Sequence, residues 1–168
     1  VKQHLHSKIH RNSSIRCFFC KTEHGTATAL VHHLEGGFCP KAPLSRDTLY
    51  EAVRRRDPNG IISKKLLTWT GSTSYEATEM AWNSAVDAYQ CYLCARLFGK
   101  LASLNQHLGS PIHQQKLYHC PNRRCNRDFK TLAAVINHLE SESCDYMRFE
   151  AVQTNVQRIL DPNRMIQA

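Results

Sequence analysis

Three sets of cysteine and histidine residues have the types and spacing to hold a metal ion. Cys91, Cys94, His107 and His113 follow one another with two, twelve and five residues between them. Cys17, Cys20, His33 and Cys39 repeat those gaps, and Cys120, Cys125, His138 and Cys144 do so with a first gap of four. Zinc takes four soft or borderline ligands in a tetrahedron, and a close cysteine pair with a helical histidine and one further His or Cys supplies them. His32 also stands beside His33, but on a helix it points about 100° away, so the twelve-residue gap selects His33. All twelve ligands are protein groups, so each site is closed. Catalytic zinc keeps an open position beside an acid or base, and the Pro-Cys-x-x-Cys part of the zinc-deaminase signature is absent. No Gly-rich phosphate loop or nucleophile elbow appears either. The sites therefore read as three structural zinc ions in a chain that is not an enzyme.

The residues between the ligands follow a plan as well. Phe98, Leu104 and His107 keep the same offsets from Cys94 as Phe129, Val135 and His138 keep from Cys125. An apolar residue and a histidine three apart share the inner face of a helix. This predicts a cysteine knuckle, a strand return carrying an aromatic, and a helix: a ββα zinc finger. In the unit at 17–39, His24 replaces the aromatic and Leu30 keeps the apolar place.

The elements that position these sites are read next. Residues 1–10 align with 104–113 and read as the C-terminal half of a finger; without their own cysteines, His4 and His10 hold metal poorly. Residues 11–39 form a finger with three Cys and one His. Residues 40–90 read as a helical insert: Ser45 caps a helix through Arg56, Asp57-Pro58-Asn59-Gly60 stops it, and Glu76 to Tyr89 has the spacing of a second helix. In that second helix Met80, Trp82, Ala85, Val86 and Tyr89 are expected to be buried. Residues 91–113 form a two-Cys two-His finger, 114–144 a second three-Cys finger, and 145–168 a C-terminal helix and turn. The order of parts recurs at a shift of about 104 residues, including Asp57-Pro58-Asn59 and Asp161-Pro162-Asn163. The expected fold class is thus small zinc-stabilised α+β units joined by α-helices, internally duplicated.

Charge sets the partner class. The chain has 22 basic and 14 acidic side chains, formally +8. Three zinc ions and eight bound thiolates bring this to about +6, which favours a polyanion. Candidate backbone contacts are Arg54, Arg55, Arg56, Lys64, Lys65, Arg96, Lys100, Arg123, Arg124, Arg127 and Lys130. Base reading on DNA needs long polar side chains on the helix faces. These positions hold Thr26, Thr28, Ala29 and His32, then Lys100, Ala102, Ser103 and Gln106, then Thr131, Ala133, Ala134 and Asn137. None is arginine, and the alanines suit a face packed on protein. Every cysteine falls in a metal spacing, which implies a reducing, intracellular compartment. No apolar run is long enough to span a membrane, and no leader is visible.

His107-Leu108-Gly109-Ser110-Pro111-Ile112-His113 resembles the matrin-type and double-stranded-RNA-binding zinc-finger families, over about a fifth of the chain. That resemblance implies RNA, structured or double-stranded, read by shape through phosphate and 2′-hydroxyl contacts, and a nuclear or cytoplasmic setting. The alternation with three-Cys fingers departs from those families. As a whole, with Arg54-Arg55-Arg56-Asp57-Pro58-Asn59-Gly60 and Tyr118-His119-Cys120-Pro121-Asn122-Arg123-Arg124-Cys125, the chain resembles an uncharacterised fungal zinc-finger protein family. The expectation is a nucleic-acid-binding module, RNA ahead of DNA. A protein-interaction scaffold is the alternative and a sequence-specific DNA-binding transcription regulator the second alternative.

Overall fold

The computed structural model describes residues 14–161. The expected half-finger at 1–10, with His4 and His10, and the turn after Asp161 lie outside them. Short strand pairs alternate with helices. The elements are β1 (Ile15–Arg16), β2 (Glu23–His24), α1 (Ala27–Glu35), α2 (Arg46–Arg56), β3 (Trp82–Asn83), β4 (Ala88–Gln90) and β5 (Leu97–Phe98). They continue with α3 (Leu101–Gly109), β6 (Tyr118–His119), β7 (Asp128–Phe129), α4 (Leu132–Glu140) and α5 (Phe149–Leu160). The chain divides into two compact units, residues 68–115 and the rest.

In the larger unit the core lies where α1, α4 and α5 meet. Leu30, Val31 and Leu34 of α1, Val135, Ile136 and Leu139 of α4, and Phe149, Val152 and Val156 of α5 are all buried. The ends of α1 and α4 are tied to each other. Glu35, the last residue of α1, accepts from the backbone N–H of Leu132 (2.8 Å) and Ala133 (3.0 Å) at the start of α4. Glu140, the last residue of α4, accepts from the N–H of Thr28 (3.0 Å) and its hydroxyl (2.7 Å) at the start of α1. Gln153 of α5 takes the Ala27 N–H at 2.7 Å and donates to Glu140 at 2.8 Å. Thr26 and Thr131 cap Ala29 and Ala134 at 3.1 Å each. The first three N–H groups of both helices, which no helical turn can satisfy, thus all have acceptors.

The helix read from Ser45 is present as α2, with Ser45 and Thr48 forming a reciprocal cap. Asp57 then organises the following loop. Its carboxylate accepts from the N–H groups of Ile61 (2.6 Å), Ile62 (2.9 Å) and Ser63 (2.8 Å) and from the Ser63 hydroxyl (2.8 Å). Gly60 has φ +69°, and a Cβ there would stand 3.0 Å from the Ser63 carbonyl oxygen, so the turn needs glycine. The loop is knitted to β6 by Lys64 N–H to Leu117 O and His119 N–H to Ile62 O, both 2.9 Å.

In the smaller unit the helix expected over Glu76–Tyr89 does not form, which corrects that part of the helical insert. A single 3₁₀ turn, Glu79–Ala81, leads into β3, a tight turn and β4, and β3-β4-β5 make a three-stranded sheet. The expected buried set fails with it: Met80 is 94% exposed, Val86 47% and Trp82 42%. The reason is local. The Asn83 side chain accepts from the Ala85 N–H at 3.0 Å, and Asp87 takes a left-handed φ of 51°, both turn conformations that compete with a helix. Tyr89 pairs across the sheet with Trp82 and Phe98 instead. The core is small: Ala77, Cys91, Leu104 and Leu108, flanked by Tyr75, Ala81, Tyr89, Phe98 and Leu101. Asn105 of α3 pins the incoming segment by accepting from the Ala77 N–H (2.7 Å) and donating to its carbonyl (3.0 Å).

Candidate metal centres and basic surface

Each set of four ligands converges, and within each set the ligand atoms all lie within 4.8 Å of one another. Each is built the same way: the cysteine pair sits in a hairpin and the histidine on the inner face of the next helix. The hairpin return is closed by the first cysteine's N–H, which donates to Thr22 O, Arg96 O or Arg127 O at 2.9 Å. Lys21 and Ala95, directly after the second cysteine, adopt φ of 66° and 57°. This left-handed step lets Lys21 N–H reach Cys17 O (3.0 Å) and Ala95 N–H reach Cys91 O (2.7 Å), which folds the two sulfurs to one side.

Zinc–sulfur and zinc–nitrogen bonds of about 2.3 and 2.0 Å imply tetrahedral edges of about 3.8 Å for S···S, 3.5 Å for S···N and 3.3 Å for N···N. Cys17 and Cys39 sulfurs are 4.0 Å apart, and Cys20 Sγ is 3.3 Å from His33 Nε2. Cys91 Sγ to His113 Nε2 and Cys94 Sγ to His107 Nε2 are both 3.4 Å, with the two Nε2 atoms 2.9 Å apart. Cys120 and Cys144 sulfurs are 3.6 Å apart, and Cys125 Sγ is 3.4 Å from His138 Nε2. These are tetrahedron edges. They are too long for disulfide bonds of about 2.05 Å, and all eight cysteines are free thiols. The donor sets therefore fit three metal ions of zinc type.

The surroundings favour the ligand form at some of these residues and oppose it at others. Burial, together with neighbouring positive charge, holds His107 and His138 below the ordinary imidazole range, which favours the neutral ring whose Nε2 can bind metal. With Nε2 on a metal, His138 Nδ1 would carry the proton and could donate to the Ser143 hydroxyl 3.1 Å away. Hydrogen bonds from Thr22 bring the Cys20 thiol down to about 6, whereas burial pushes Cys120 up to about 12. A bound cation would be needed to make Cys120 a thiolate at neutral pH. With four protein ligands at each site, the ions would hold shape; they would leave no position for a substrate.

The basic candidates separate on inspection. Arg54 donates to the Asp57 and Pro58 carbonyls, Arg56 donates to Ile159 O, and Lys64 pairs with Asp128 at 2.6 Å. Those three have structural partners. Lys130 is half-buried, and its carbonyl accepts from Arg46 at 2.9 Å. Arg55, Lys65, Arg96, Lys100, Arg123, Arg124 and Arg127 are exposed. The excess positive charge is unevenly placed. Residues 68–115 hold two basic and three acidic side chains, leaving twenty basic and eleven acidic elsewhere. The helix faces also differ. Thr28 and Ala133 are drawn into the α1–α4 contact, while Ala102, Ser103 and Gln106 of α3 stay exposed.

Sequence reasoning missed the capping residues Glu35, Glu140 and Gln153 and the organising role of Asp57. Only the alanines at the helix starts hinted that α1 and α4 pack on protein. Among the described residues no helix is long and apolar enough to cross a membrane. No family model, curated protein or solved structure matches the chain.

Proposed function

We propose that this chain is a non-catalytic, zinc-stabilised module that binds nucleic acid, RNA ahead of DNA, through its larger unit. The three metal centres read as ββα fingers. The equivalence of Glu35 with Glu140 and of Ala27 with Leu132, each 105 residues apart, supports an internal duplication whose two copies pack on each other. The carrying observation is the segregation of charge: the unit in which α1 and α4 cap each other holds all of the excess positive charge. Its finger helices begin against protein, so a base-reading mode in the major groove, which needs those helix starts, is disfavoured. Phosphate contacts from exposed arginines on the knuckle and loops are left. Structured RNA, recognised by shape and backbone, suits such a surface.

The zinc-loaded chain should shift labelled duplex RNA, with affinity falling steeply as salt rises. Duplex DNA should bind less tightly at every salt. Equal binding to both duplexes would remove the preference for RNA, and no binding to any RNA or DNA, duplex or single-stranded, would remove the reading.

A specific observation also favours the scaffold reading for the smaller unit. It has no excess of positive charge, yet Met80, Trp82, Tyr92 and Leu93 are between 42% and 94% exposed beside its metal centre. Such apolar exposure suits a protein contact.

A further inference from the structure

The knuckle of the last metal centre is two residues longer than the other two, and Arg123, Arg124 and Arg127 crowd it. Two hollows flank it. One lies between the knuckle and the Asn59–Gly60–Ile61 loop and is lined by Arg123, Arg127, His119 and the Lys64–Asp128 pair. The other is lined by Arg124, Arg127, Asp145 and Tyr146. Asn122, Asn126 and Arg127 line both, so the hollows lie on either side of the knuckle, which forms a shared wall. Tyr146 is 41% exposed, and the three arginines are exposed.

The charges in this track do not cancel. Lys64 neutralises Asp128, which leaves three guanidinium groups against Asp145. The walls are also fixed in advance. Asp57 holds the loop through four hydrogen bonds, and His119 Nε2 donates to Gly60 O at 2.9 Å. Asn122 donates to Cys144 O at 2.6 Å and accepts from the Arg124 N–H at 3.0 Å. Guanidinium forks match phosphate oxygens. The exposed Tyr146 ring, which shares a hollow with Arg124 and Arg127, offers a face on which a base can stack, and the amides of Asn59 and Asn126 can meet base edges. A duplex keeps its bases stacked inside and offers none to Tyr146.

Resting on the nucleic-acid reading above, we propose that an unpaired nucleic-acid strand, such as the loop or end of a structured RNA, crosses the Cys120–Cys125 knuckle. Its phosphates lie on Arg123, Arg124 and Arg127 and one base stacks on Tyr146.

The test is fluorescence anisotropy of the full zinc-loaded chain over a salt series. The probes are a short single-stranded RNA, the same sequence as DNA, and blunt RNA and DNA duplexes. The single strands should bind more tightly than the duplexes, and the two sugars separate an RNA preference from single-strand binding in general. Arg123→Ala and Arg124→Ala should each lower the salt slope by about 0.7, the value of one phosphate contact on a single strand. Tyr146→Ala should weaken single-strand binding about tenfold with the slope unchanged, and Tyr146→Phe should restore it. Lys41→Ala, at an exposed lysine outside the track, serves as the control, and unchanged cobalt d–d spectra show that each variant is folded. Duplex-only binding, or single-strand binding indifferent to these three alanine variants, overturns the track and leaves the broader reading standing. No binding to any probe removes both.

Discussion

The carboxylate of Glu35 accepts from the backbone N–H of Leu132 and Ala133 across the helix pair, and Glu140 does the same for Thr28 in return. A helix N-terminus carries about half a positive charge, so a carboxylate there is favoured beyond its hydrogen bonds. Burial pushes the Glu35 carboxyl up, while those two N–H groups and Arg46 pull it back. Removing it strands two buried donors. Glu35→Ala should cost about 2–4 kcal/mol, read by chemical denaturation of the zinc-loaded chain. Glu35→Gln keeps one acceptor and should cost about half as much. If Glu35→Ala proves as stable as wild type, the two helices are held by apolar contact alone.

Asp57 supports a different claim. Burial raises its pKa, but the hydrogen bonds from Ile61, Ser63 and Ile62 outweigh that and leave it below the ordinary value. A carboxylate depressed in the folded state adds stability that is complete above its unfolded pKa, about 3.9, and lost as pH falls through the lower folded value. Asp57→Asn should therefore be destabilised by about 1–3 kcal/mol at neutral pH, with the gap from wild type narrowing below pH ~4. A gap that stays constant into acid would show that the charge of Asp57 contributes nothing. Gly60→Ala should be comparably damaging, because it needs both a left-handed φ and space that Ser63 O occupies.

The metal centres were legible in the sequence because their information is local. Ligand type and gap fix a tetrahedron within about twenty-five residues. Helix α2 was legible for the same reason, since Ser45 and Asp57 punctuate it. The helix expected over Glu76–Tyr89 was not there. Its apolar residues mimic helical spacing, and the turn chemistry of Asn83 and Asp87 overrides them. The α1–α4 contact lay beyond reach in another way. Nothing near Glu35 announces that its partners stand almost a hundred residues on, at Leu132 and Ala133.

Tyr118 yields a prediction in the opposite direction. It is fully buried, packs edge-on against Tyr50 with ring centres 5.8 Å apart, and its hydroxyl meets no hydrogen-bond partner among the described residues. Burial pushes its pKa far up, so the group is a neutral phenol. An unsatisfied buried hydroxyl costs about 1–3 kcal/mol, while the ring supplies the packing. Tyr118→Phe should therefore be as stable as wild type or up to about 1–2 kcal/mol more so. A loss of stability above ~1 kcal/mol in thermal denaturation would show that the hydroxyl is satisfied after all.

The reciprocal caps should also link metal loading at two centres. Folding and metal binding in small units draw on the same free energy. In the larger unit, α1 carries His33 and α4 carries His138, and each helix start is satisfied by the end of the other. Cys17→Ala removes a ligand from the first centre and loosens α1. It should thereby expose the Leu132 and Ala133 N–H groups and weaken the Cys120-Cys125-His138-Cys144 centre as well. Cobalt bound per chain, read from the thiolate charge-transfer band in a titration against a competing chelator, should then fall from about three toward about one. Cys91→Ala, in the smaller unit with its own core, should leave about two. Hydrogen exchange gives the same comparison without metal counting. Amides of 132–139 should lose protection in Cys17→Ala and keep it in Cys91→Ala. If Cys17→Ala still binds about two ions with α4 fully protected, the caps stabilise the helices without coupling the sites.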